Sequence, residues 1–118
     1  MLNSTALQNL TITPPQSYSL HDLEAPTEGE AAVVFCLSHL PVLTQAVRES
    51  GAIAAHPSWN HHQRIAAAVM LGQIEKDIHT LKEQAQIDRL AMRDWNQAMI
   101  ILAEDTVTSW NQLAIWLD

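Results

Sequence analysis

Glycine, cysteine and basic residues are scarce in this chain of 118 residues. Its three glycines leave few places for a loop that cradles phosphate, and no P-loop, dinucleotide-binding fingerprint or nucleophile elbow is present. The single cysteine, Cys36, excludes a disulfide within the chain. Six Lys and Arg residues stand against 13 Asp and Glu, a net charge of −7, which disfavours direct binding to nucleic acid or to an anionic membrane. The sequence therefore carries no catalytic signature.

Long apolar runs are also absent. The longest, residues 31–37 and 65–71, have seven residues each, well short of the ~20 that cross a bilayer. The first basic side chain is Arg48, so a secretory signal or a transit peptide is not expected near the N-terminus. These features predict a cytoplasmic protein of bacterial type.

What the chain does contain is enough apolar residues, 47%, for one folded domain. With few strand-like clusters, the pattern predicts an all-α fold of three to four helices. Residues 1–26 differ from the rest, because they include Pro14-Pro15, hold no Lys or Arg and are acidic. We expect a flexible acidic N-terminal arm over residues 1–26 and a helical domain over residues 27–118.

The first helical region is predicted over residues 28–50. Thr27 and Glu30 have the spacing of a capping box at its start. Pro41 predicts either a kink or a break, with one helix ending near His39 and a second beginning at the proline. Gly51 is the expected terminating residue.

A second helix is predicted to begin near Ser58 or Asn60, with Asn60 and Gln63 forming another capping box. Its apolar positions repeat every three or four residues, as in a buried heptad stripe: Ala67, Leu71, Ile74, Ile78, Leu81 and Ala85. The chain then has no Gly or Pro to residue 118, so one long rod is an alternative. Because Asp88 would be costly to bury and could cap a new helix, we expect a turn at residues 86–88 and an antiparallel hairpin, with a last helix over residues 89–117.

Two groups of side chains are candidates for chemistry. Cys36 and His39 lie three residues apart on one helix face, and His56, His61 and His62 surround Trp59. Either group could contribute to a small-ligand or metal site, but neither has the spacing of a complete zinc site. We therefore expect no metal, no cofactor and no catalytic residue, and keep a helical ligand- or metal-binding domain as the alternative.

The C-terminal third is rich in apolar residues on two sides of one predicted helix, more than a small helical monomer covers easily. Large rings and methionines are typical interface anchors. The sequence thus predicts a homodimer or a protein partner, bound through these residues: Trp95, Met99, Leu102, Val107, Trp110, Leu113, Trp116 and Leu117.

The layout resembles the QslA-like family, small bacterial helical anti-activators of quorum-sensing regulators. The resemblance rests on chain length, on Thr13-Pro14-Pro15 in the acidic arm, on Ala31-Ala32-Val33-Val34 in the first helix, and on three C-terminal tryptophans. It implies a homodimer that binds the ligand-binding domain of a LuxR-type transcriptional activator. By blocking dimerisation of the activator, such a protein would prevent the activator from binding DNA.

Overall fold

The computed structural model describes residues 25–92 and 94–118, and these residues form an all-α fold. Four helices follow one another along the chain: α1 (Gly29–Ser38), α2 (Leu40–Ser50), α3 (His61–Leu90) and α4 (Gln97–Leu117). Residues 1–24, which include most of the predicted arm, lie outside the described residues. Ala25, at the end of that arm, is half-buried and packs against the core.

Pro41 separates α1 from α2, as the second of the two alternatives predicted. The first helix ends at Ser38 and the axes of the two helices differ by 46°. Pro41 lies in the first turn of α2, where its missing N–H would have no helical partner. Gly51 ends α2 in the left-handed conformation with φ of 65°, which confirms its predicted role.

The start of α3 and its buried face are also confirmed. The Asn60 side chain accepts a hydrogen bond from the Gln63 N–H at 2.9 Å, and the Asn60 N–H donates to Gln63 Oε1 at 2.8 Å. Five residues of the predicted stripe are buried, and the sixth, Ala85, is half-buried: Ala67, Leu71, Ile74, Ile78 and Leu81 form the buried set.

The hairpin is confirmed, but the predicted position of its turn is wrong. Asp88 lies inside α3 and is buried, and its Oδ1 accepts a hydrogen bond from Gln84 Nε2 at 3.0 Å. A partner one helical turn away therefore satisfies this oxygen without a helix end. Helix α3 instead ends at Leu90 and α4 begins at Gln97, and Met92 between them has a φ of 56°.

The last helix therefore begins at Gln97 and not at residue 89. The Asn96 side chain caps it by accepting a hydrogen bond from the Met99 N–H at 2.8 Å. The helix continues without interruption through residues 104–108, despite their low helix propensity. Thr106 and Thr108 hydrogen-bond to the carbonyl oxygens of Leu102 and Glu104 at 2.7 and 2.9 Å, as Thr side chains do inside helices.

The core lies where α4 packs against both α1 and α3. The Gly29 N–H, at the start of α1, donates a 2.8 Å hydrogen bond to Glu104 Oε2 of α4. The predicted capping box of Thr27 is therefore wrong: Glu28 occupies the N-cap position without a side-chain cap, and a carboxylate from α4 takes that role. This bond ties the first and last helices together near the beginning of α1.

None of these four helices is by itself both long and apolar enough to span a membrane. The bent pair α1 and α2 passes a test of length and composition when the two helices are taken together. Ala32, Val33, Leu40 and Leu43 of this pair are buried in the core.

Candidate protein-interaction surface

Five of the eight residues predicted to bind a partner are in the core of the chain itself. They are at most 3% exposed, and so they cannot contact another molecule in this fold: Met99, Val107, Trp110, Leu113 and Leu117. The physical reason is the position of α4. Because α1 and α3 both pack against it, the two apolar stripes on α4 are covered within one chain.

The other three predicted residues are at least partly accessible. Trp95 and Leu102 are half-buried and pack against the edge of the core. Trp116 is 39% exposed and lies between the exposed Ile115 and the buried Leu117 at the end of α4. The structure thus reduces the predicted interface from eight residues to these three, with Trp116 the most accessible.

Trp116 lies at the edge of a groove of about 420 Å³ between α4 and the start of α3. The other lining residues are Trp59, Gln63 and Ala66. None of these side chains is charged, so a binding partner would not have to displace an ion pair. An apolar groove with one large accessible ring has the character of an interface anchor site.

The segment before α3 holds Trp59 against this groove. The rings of His56 and Trp59 are stacked with centroids 4.0 Å apart. The Ser58 N–H donates to His56 Nδ1 at 3.3 Å, and Arg64 Nη2 donates to the His56 carbonyl oxygen at 3.0 Å. Burial lowers the pKa of His56, and the positive charge of Arg64 lowers it further. His56 thus acts as a neutral structural support for the indole ring.

The candidate metal ligands do not converge. His56 is buried beneath Trp59, whereas His61 and His62 are exposed, with ring centroids 6.1 Å apart and tilted by 59°. Over residues 25–92 and 94–118, no three His, Cys, Asp or Glu side chains come together in a way that could hold a metal ion. The histidine cluster therefore gives no support to the metal-binding alternative.

Cys36 is fully buried and its thiol donates a hydrogen bond to the Ala103 carbonyl oxygen at 3.5 Å. Burial, with a smaller contribution from the negative charge of Asp77, raises the pKa of this thiol to about 12. His39, the proposed second member of the pair, is exposed and its ring contacts Phe35. Cys36 therefore packs between α1 and α4 as a small apolar residue and lacks the thiolate character of a nucleophile or ligand.

A larger groove, of about 720 Å³, lies near the turn of the hairpin. Trp95 and Leu90 line it together with side chains of both charges, among them Glu30, Lys82 and Arg89. Because the lining holds two acids, Glu30 and Asp94, and two bases, Lys82 and Arg89, the groove shows no preference for an anion or a cation.

An apolar surface that was not predicted from the sequence lies on the outer side of α3. Ile65 and Val69 are 48% and 66% exposed there, and Ile87 and Leu90 are 52% and 77% exposed near the other end of the helix. The exposure of Ile65 and Val69 could have been predicted from the sequence. Residues 65–71 are apolar around the whole helix, but the buried stripe includes only Ala67 and Leu71. Apolar residues left over from a stripe face solvent unless another element covers them.

Comparison with known proteins gives no relative. No family model, no curated protein and no solved structure matches this chain.

Proposed function

We propose that this chain is a non-catalytic regulatory protein that binds another protein and covers a surface which that protein needs. The observation that carries the proposal is the accessible indole of Trp116 at the edge of the uncharged groove formed with Trp59. The Trp116 ring is 39% exposed at this groove, so a partner that covers it would gain favourable free energy from burying its apolar area.

The groove favours a protein side chain as its occupant. Its lining offers apolar area from two indole rings and Ala66, with the Gln63 amide as the polar group at the rim. Apolar anchors with a polar rim are typical of protein interfaces. The net charge of −7 favours a partner with a basic surface, because opposite charges steer association.

In its finer form, the proposal is that the partner is a LuxR-type transcriptional activator. The support is the resemblance to QslA-like anti-activators in chain length, in Thr13-Pro14-Pro15 and in the tryptophan-bearing last helix. Occupying the dimerisation surface of such an activator would keep it from binding DNA, so no contact between this acidic chain and nucleic acid is needed.

The test compares two neighbouring apolar side chains of α4. Ile115 is 58% exposed and is not part of the groove, so it is a matched control for Trp116. In calorimetric titration against the ligand-binding domain of a LuxR-type activator, Trp116→Ser should weaken binding at least ~10-fold. Ile115→Ser should change it less than ~3-fold. Equal losses from both variants would contradict a role for the groove.

A second measurement distinguishes the finer proposal, a LuxR-type activator as the partner, from the general proposal of a protein partner. A photo-crosslinking amino acid in place of Trp116, introduced in the source cells, should give one dominant crosslinked protein by mass spectrometry. Capture of a protein other than a LuxR-type activator would overturn the finer proposal alone. No crosslinked protein at residue 116, with the fold intact, would overturn both.

A further inference from the structure

The outer side of α3 carries a second regular stripe, opposite the buried one. At 100° per residue, its members point away from the core, and every one of them is exposed. We call these residues the outer stripe: Ile65, Val69, Gly72, Lys76, Thr80, Glu83, Ile87 and Leu90. Four of its members are large apolar side chains between 48% and 77% exposed, which is unusual along one line of a helix.

The apolar ends of the outer stripe are symmetric about its middle. Two apolar residues begin it and two end it, and charged and small residues lie between them. When a second α3 runs antiparallel to the first about a point near residue 78, Ile65 lies opposite Leu90 and Val69 lies opposite Ile87. Gly72 then lies opposite Glu83, and open space around Gly72 leaves room for that longer side chain.

We propose that a second copy of this chain covers the outer stripe, with the two α3 helices antiparallel across a two-fold axis near residue 78. In such a symmetric interface each contact occurs twice, so a self-complementary stripe suits it better than it suits an unrelated partner. The seam from Ile65 to Leu90 is about 38 Å long at 1.5 Å per residue.

The charges in the middle of the stripe select this direction. Antiparallel pairing places Lys76 within about 5 Å, along the axis, of Glu83 of the second copy, which gives two ion pairs related by the two-fold axis. The two Lys76 residues lie at a similar axial separation, so two attractions stand against one repulsion. Parallel pairing in register would instead place Lys76 beside Lys76 and Glu83 beside Glu83, and like charges that face each other are destabilising. Within the described residues, the Lys76 ammonium group has no ion pair that would compete.

A groove beside Ile65 provides a seat for Leu90 of the second copy. Its volume is about 370 Å³, and its lining combines apolar residues such as Val47, Ile53 and Ala68 with the basic side chains of Arg48, His61 and Arg64. Leu90 is the most exposed large apolar side chain of the outer stripe. This groove lies on the opposite flank of α3 from the groove of Trp59 and Trp116, so the proposal does not depend on the proposed function.

Sedimentation equilibrium of the full chain tests the dimer. The wild-type chain should be dimeric at tens of micromolar, and Val69→Glu should raise the dimer dissociation constant at least ~100-fold, because it places two carboxylates in the seam. Ile101→Glu is the matched control, because Ile101 is 49% exposed on α4 and lies outside the stripe. This control should leave the dissociation constant within ~3-fold of the wild type.

A charge exchange tests the direction of the helices. Lys76→Glu alone and Glu83→Lys alone should each weaken the dimer ~10-fold, and the double variant should restore it. Because Glu83 also lies 2.9 Å from His79 within one chain, His79→Gln serves as the control for loss of that contact. A wild-type monomer at 100 µM concentration would overturn the proposal, as would a dimer that Ile101→Glu breaks and Val69→Glu does not. A dimer in which the double variant shows no rescue would overturn the antiparallel arrangement.

Discussion

Helix α4 and residues 65–71 of α3 both carry apolar side chains on more than one side of the helix, but the fold treats them differently. Along α4, Trp110 and Leu113 are fully buried, because α1 and α3 both pack against this helix. In the first half of α3, Ala67 and Leu71 are buried, while Ile65 and Val69 on the outer side remain exposed. Apolar content alone therefore does not mark an interface. The number of neighbouring elements decides whether the chain covers a helix itself or leaves one side for another molecule.

The largest effect on stability is expected from removing the tryptophan ring at the centre of α4. Trp110→Ala should lower the free energy of unfolding by about 4 kcal/mol, since it opens a large cavity in the core. Urea denaturation followed by circular dichroism measures the change. A loss below about 1 kcal/mol would mean that Trp110 is not the core residue described above.

The next effect concerns the bond that joins α1 to α4. Glu104→Ala removes the acceptor of the Gly29 N–H and should cost about 1 kcal/mol, similar to the loss of a helix cap. Hydrogen exchange should speed up in the first turn of α1. Asp105→Ala is the control, because this neighbouring carboxylate is exposed, and it should leave those amides unchanged.

A smaller effect is expected from pH at the start of α3. The pKa of His56 is lower in the folded chain than its ordinary value of 6.5, so the unfolded chain takes up a proton first as the pH falls. The neutral His56 therefore contributes its full stability above about pH 6.5. The free energy of unfolding decreases as the pH falls below that value, until the folded imidazole also binds a proton. His56→Gln should reduce the loss of the urea midpoint between pH 7 and 5, and the exposed His61→Gln should not.

The smallest effect should come from the outer side of α3. At concentrations where the chain is monomeric, Val69→Ser should change the free energy of unfolding by no more than about 0.5 kcal/mol, because the side chain is 66% exposed. The difference between the losses in free energy of unfolding for Trp110→Ala and Val69→Ser measures how differently the fold buries the two helices. A large loss in dilute solution would show that Val69 packs within its own chain.

The features that were predictable from sequence are those whose causes lie within a few residues. Asn60 and Gln63 cap each other across three residues, and Gly51 ends α2 through its own backbone conformation. The period of the buried stripe likewise reflects the geometry of one helix. These local features were enough for the all-α fold and the hairpin.

The errors all involve partners that sequence spacing does not display. Thr27 loses the cap of α1 to Glu104, which is 75 positions away from Gly29 in the chain. Asp88 lies inside α3, where its Oδ1 accepts a hydrogen bond from Gln84, and the helix continues to Leu90. Five residues of the predicted interface are buried within the chain, because composition shows which helices are apolar, whereas tertiary packing decides which of them lies at the centre.

The central place of α4 also affects synthesis of the protein. Ribosomes make α1, α2 and α3 before the helix that supplies Trp110 and Leu117 to the core. At typical rates of synthesis, the 21 residues of α4 take roughly 1–4 s to add. During this interval the faces of the earlier helices that α4 later covers have no partner within the chain, so their apolar side chains remain accessible to water and to other proteins.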